Sequence, residues 1–286
     1  MKTMPPGFNR KILLLVALGF LGCEKAKPFF SDQVKVMYIH SRKMDKGIAT
    51  AVVTPAGYED EANIERRYPV IVLLHGYSGD FRQWQKITDL PALASRHGVI
   101  LVCPDGGFDS WYLDSPVLEN KRYKSFIIND VLSRIDQDFR TLGPKARAIT
   151  GLSMGGHGAI RFISLYPDSF VAAGSMSGIL DLRVFPNSWK IADYLGGHNE
   201  NQQRWRSASA VNLLDSLKGK GKGIMVDCGR DDFALSVNRA YRDSAAVKGV
   251  EINYAEKPGS HNGDYWKKAI DPQITFLKSY FEPAAK

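Results

Sequence analysis

Cysteine is nearly absent from this sequence: three in 286 residues. That is too few for the disulfide framework of a small secreted scaffold. Cys103 and Cys228 each end an apolar run, "VILVC" and "GIMVDC", and read as buried free thiols at strand ends. There is no C-x-x-C and no H-E-x-x-H, so no metal site is implied. No Gly-rich dinucleotide fingerprint follows the first strand-like runs, and no cofactor is expected. Tracts of Pro, Ser or Gln are missing, as is any internal repeat, which leaves neither a disordered chain nor a solenoid. The apolar run "ILLLVALGFLG" at 12–22 is too short for a bilayer, which takes roughly 20 residues.

That run follows Lys2, Arg10 and Lys11 and precedes Cys23. A basic start and a short apolar core read as an export signal over 1–22. "FLGC" is similar to a bacterial lipobox, with Cys23 as the lipidated first residue. Phe20 stands where Leu is usual and Leu21 where a smaller residue is usual, and "ALG" at 17–19 is a competing cleavage site. The expectation is a lipoprotein in the periplasm or on the outer membrane surface, held to the membrane only through lipid on Cys23. Removing 1–22 takes away three positive charges and no negative one, so the formal charge falls from +8 to +5. The remaining basic residues are mixed with acidic ones. "KGKGK" at 218–222 reads as a solvated loop, and no nucleic-acid motif accompanies the charge.

Hydrophobic residues at 44% and charged residues at 24% describe an ordinary globular chain. After a tether at 23–32, one domain is expected over 33–283. Segments 33–40 and 49–54 read as opening strands, and 55–67 as a polar loop. Short apolar runs at 70–74, 98–103, 147–151, 171–177, 223–228 and 250–255 read as parallel strands buried on both faces. Helical patterns fall at 124–139, 155–166, 235–247 and 264–281, the last interrupted by Pro272. This alternation predicts a doubly wound, mostly parallel α/β sheet with helices on both faces, its chemistry at the carboxyl ends of the strands. Residues 178–222 are too long for an ordinary connection and read as an insertion, either functional or a structural cap.

Within "ITGLSMGGHGAI", residues 151–155 fit G-x-S-x-G. The pattern falls between a strand and a helix, the context in which it exposes a serine on a strained turn. Gly151 and Gly155 lack the Cβ atoms that would obstruct that turn. A serine hydroxyl needs a general base, and the base an orienting acid. In this fold the order is Ser, acid, His. "MVDCGRDDFAL" at 225–235 places an acid after a strand: Asp232 or Asp231, with a G-x-x-D spacing from Gly229 in favour of Asp232. "YAEKPGSHNGDYW" at 254–266 places His261 after the last strand. His157, on the helix after Ser153, reads as packing or a helix-start hydrogen bond. "VIVLLHGYSGDFRQW" at 70–84 supplies a Gly-containing loop for the oxyanion, so the amides of Tyr77 and Met154 are the expected donors.

"LLHGYSGDFRQW", "PDGGFDSWYLDSP", "GLSMGGHGA", "CGRDDFAL" and "HNGDYW" together resemble the esterase D (putative esterase) family, over roughly 35–280. The resemblance implies an α/β-hydrolase fold. It also implies a Ser153–His261–Asp232 triad, since the family acid holds the G-x-x-D place. Trp111, Tyr112 and Asp114, at a strand end, are expected to line the site, with plain packing as the alternative for the two aromatics. The implied activity is a serine carboxylesterase acting on a small ester or an acetyl or feruloyl ester of plant polysaccharide. A thioesterase of the S-formylglutathione hydrolase type, an acyltransferase, and a catalytically silent surface binding module are the alternatives.

Overall fold

The computed structural model describes residues 32–281. The export signal expected over 1–22, Cys23 and most of the expected tether therefore lie outside the described residues. Eight strands form one sheet: β1 (Val34–Ser41), β2 (Lys46–Val53), β3 (Val70–Leu74), β4 (Ile100–Pro104), β5 (Arg147–Gly151), β6 (Ala172–Met176), β7 (Gly223–Gly229) and β8 (Asn253–Lys257). Their spatial order is β1-β2-β4-β3-β5-β6-β7-β8. β1 and β2 are antiparallel and β2 meets β4 antiparallel, while every pair from β4 to β8 is parallel.

Side chains of the central strands alternate between two apolar layers, as the two-residue period requires. Val70, Val72 and Leu74 face one layer, and Ile71 and Leu73 the other. The first layer is filled from the helices Met154–Leu165 and Leu235–Lys248 and the helical run over 123–138. The second is filled from Leu90–His97 and Gly263–Lys278. The 123–138 run is wound as a π-helix at Phe126–Val131, turning Phe126, Ile127, Asp130 and Val131 inward. Gly263–Lys278 continues through Pro272 as one helix. Cys103 and Cys228 are free and buried.

Gln83–Ile87 and Leu90–His97 are helices that the sequence reading did not assign. Asp89 caps the second by accepting from the Ala92 amide at 3.1 Å, and Gly98 ends it in the left-handed region at φ 61°. The 178–222 insertion holds the short helices Ile191–Leu195 and Gln202–Ala208. Trp205, Ala208, Leu214 and Leu217 from it are buried in the main core, so most of the insertion is a structural cap.

β3 lies between β4 and β5, so the chain runs from β3 to β4 on one side and then crosses back to β5 on the other. Such a switch point opens a crevice beyond the carboxyl ends of the strands. Leu74 pairs with Gly151 at that end, which sets the loop after β3 beside the turn after β5.

Candidate active site

Ser153 sits on the turn between β5 and the helix Met154–Leu165, with φ 53° and ψ −116°. A non-glycine residue held there costs about 1–3 kcal/mol, which the surrounding contacts must hold in place. The Ser153 amide donates to the Met176 carbonyl of β6 at 2.9 Å. A Cβ at Gly155 would collide with the Leu74 carbonyl oxygen, so only glycine lets the helix start this close to β3. The helix N-terminus under Ser153 favours negative charge.

Two further loops converge on Ser153. His261, after β8, has Nε2 2.9 Å from Ser153 Oγ. Its Nδ1 lies 2.9 and 3.0 Å from the two carboxylate oxygens of Asp232, after β7. The Asp232 side chain is fully buried, and Oδ1 also accepts from the Ala234 amide at 2.8 Å. Burial alone would raise this carboxyl, but hydrogen bonds from His261 and Ser177 outweigh it and hold the group below the usual carboxylate range. Asp231 is exposed, and its amide closes the loop onto the Gly259 carbonyl at 3.0 Å. Of the two acids, Asp232 is therefore the one that meets His261.

A buried strut supports the His261 loop from below. Asp227 of β7 accepts from Tyr265 Oη at 2.8 Å and from Gln273 Nε2 at 2.7 Å, both on Gly263–Lys278. Burial pushes the Asp227 carboxyl above its ordinary value despite these bonds. Trp266 of the same helix stands edge-on to the imidazole, 5.1 Å away at 85°.

The loop after β3 is pinned on both sides of Tyr77. The Gly76 amide donates to Gln83 Oε1 at 2.7 Å, and the Ser78 amide to the Phe108 carbonyl at 2.7 Å. His75, fully enclosed, uses both ring nitrogens: Nδ1–H donates to the Gly76 carbonyl and Nε2 accepts from the Gly106 amide, each at 2.8 Å. The amides of Tyr77 and Met154 are left out of the turn hydrogen bonds that occupy their neighbours.

Gly76, Tyr77, Gln83, Trp111, Leu152, Ser153, His261 and three further aromatics, Trp189, Phe233 and Trp266, line a cleft of about 190 Å³. That is below the roughly 300–1,000 Å³ of drug-sized pockets and suits a small group. Of the three residues expected from "SWYLD", only Trp111 lines it. Tyr112 is fully buried beneath, its hydroxyl donating to the His75 carbonyl at 3.0 Å. Asp114 accepts from the Ser125 amide and hydroxyl at 2.9 and 2.6 Å and faces Lys124, so it braces the start of the 123–138 helix instead. Trp111 and Tyr112 have φ of 53° and 54°, and this double left-handed turn sends adjacent side chains to different places. His157 is buried, and its Nε2 donates to the Ala208 carbonyl of the insertion at 2.9 Å. Among the described residues no group of three or more His, Cys, Asp or Glu could hold a metal ion.

Chemically, a hydroxyl, an imidazole and a buried carboxylate in series can move a proton off the hydroxyl as it attacks a carbonyl. Residues 41–277 match the family described as Putative esterase. The chain is 29% identical over 224 residues to an acetyl esterase of Caldicellulosiruptor saccharolyticus, covering 74% of this chain and 82% of that one. It is 28% identical over 250 residues to an esterase of Mycobacterium tuberculosis, covering 77% of this chain and 55% of that longer protein. Among solved structures a ferulic acid esterase superposes with a TM-score of 0.75 at 25% identity, covering 87% of this chain and 98% of that one. The chain belongs to the Putative esterase family of α/β-hydrolases.

Proposed function

We propose that Ser153 is the nucleophile of an exported carboxylesterase that removes acetyl or feruloyl groups from plant polysaccharide. The observation that carries the proposal is the unbroken chain Ser153 Oγ–His261–Asp232, with successive contacts of 2.9 Å. Ser153 attacks the ester carbonyl while His261 Nε2 takes its proton, and Asp232 orients the resulting imidazolium. The Tyr77 and Met154 amides receive the developing oxyanion. His261 then protonates the leaving alcohol, and water, activated by the same imidazole, cleaves the acyl-enzyme. The acyl groups are suggested by the similarity of this chain to an acetyl esterase and a ferulic acid esterase. Export, and lipid on Cys23, are suggested by the sequence before residue 24.

The test is protein starting after Cys23, incubated with acetylated, feruloylated arabinoxylan, with acetate and ferulate quantified by chromatography. Release by the wild type but not by Ser153→Ala is expected. Turnover of a small activated ester without release from the polymer would retain the esterase and overturn the polysaccharide assignment.

A further inference from the structure

Phe233 lines the cleft beside His261 while staying open to solvent. It follows Asp232 directly and is 50% exposed. Its ring lies 4.4 Å from that of His261, with 41° between the planes. Trp189 also lies beside it, 5.6 Å away at 31°, and packs in turn on Phe185 at 5.0 Å. Trp189 and Phe185 come from the insertion, so Phe233 joins the insertion to the imidazole. The Trp189 backbone is held at φ 49°, and its carbonyl accepts from Trp111 Nε1 at 3.1 Å, which fixes this wall of the cleft.

The chemistry of ester cleavage gives that wall a direction. The carbonyl oxygen must face the Tyr77 and Met154 amides. The leaving oxygen must come within hydrogen-bond reach of His261 Nε2 to receive its proton. The alcohol half of the ester therefore lies on the His261 side of Ser153, against the aromatic rings stacked there. A half-exposed phenyl ring beside an indole offers that alcohol an apolar wall. It offers no charge to pair with.

We propose that Phe233 and Trp189 form an alcohol-side subsite that selects esters whose alcohol carries a ring with a flat apolar face, either aromatic or pyranose. This rests on the proposed roles of Ser153 and His261. The subsite binds and orients; it adds no bond-making step.

The test compares three acetates: methyl acetate, benzyl acetate and a 6-O-acetylated methyl glucoside. One acyl group and primary or methyl alcohols throughout make the kcat/KM ratios a reading of the alcohol side. The wild type is expected to prefer at least one ring ester over methyl acetate, and the benzyl and glucoside arms separate the two ring types. Phe233→Ala and Trp189→Ala are each expected to lower that ring-to-methyl ratio roughly five- to tenfold, mainly through KM, with Phe233→Tyr restoring it. Phe233→Leu serves if the alanine variant does not fold, because it keeps the bulk and loses the aromatic face. An unchanged ratio in the variants, or no ring preference in a wild type that turns over methyl acetate, overturns the subsite alone. No turnover of any acetate overturns the acetyl reading, and the same ratio on the ferulates of the three alcohols then decides the subsite.

Discussion

Asp231 and Asp232 carry the same side chain one residue apart, and only their surroundings separate them. Asp232 is buried against His261, whereas Asp231 points to solvent. Asp232→Asn is expected to lower kcat by about 10³- to 10⁴-fold, because the amide no longer holds the imidazole in the tautomer that accepts from Ser153. Asp231→Asn is expected to retain nearly all activity. Steady-state kinetics on a small acetate would check both, and a larger loss at Asp231 would reverse the assignment. Trp111 and Tyr112 show the limit of reading neighbours together. Both sit in one aromatic peptide, yet the double left-handed turn delivers one to the cleft and the other beneath it.

The helix Met154–Leu165 does more than present Ser153. From its first turn His157 reaches across to the Ala208 carbonyl and joins the helix to the insertion that carries Trp189. Burial, with the nearby Arg161 charge, pushes the His157 pKa down from 6.5 to about 3. Between those values the unfolded chain binds a proton that the folded protein refuses, so stability falls as pH is lowered. The slope is about 1.4 kcal/mol per pH unit for one group. Denaturant unfolding at pH 7 and pH 5 is expected to show the wild type weaker at pH 5 by about 2 kcal/mol. In His157→Gln the difference should shrink, since glutamine does not titrate. An undiminished difference would place the pH sensitivity elsewhere.

At the scale of the whole molecule, much of the architecture is legible in the sequence because the strands are buried on both faces. Runs such as "VIVLL" and "RAITG" coincide with β3 and β5 residue for residue. The helix Leu90–His97 is less legible. Its eight residues are too few for a clear apolar period, although Asp89 and Gly98 mark its ends once the capping geometry is known. Ser153, His261 and Asp232 are legible because chain order and strand ends place them independently in one crevice. Gln83, Trp189, Phe233 and Trp266 are not, because each joins the cleft through folding of a loop or insertion rather than through a local pattern. The export signal expected over 1–22, and Cys23 after it, precede the described residues.

In the proposed function, folding brings distant segments together to make the Ser153 hydroxyl nucleophilic. The most direct measurement is intact-protein mass spectrometry with peptide mapping after exposure to a fluorophosphonate. One phosphonyl group is expected on Ser153, none on the Ser153→Ala protein, and labelling of His261→Ala slowed by at least about 10³-fold. Folded wild-type protein that stays unlabelled, or carries the adduct on another residue, would contradict it.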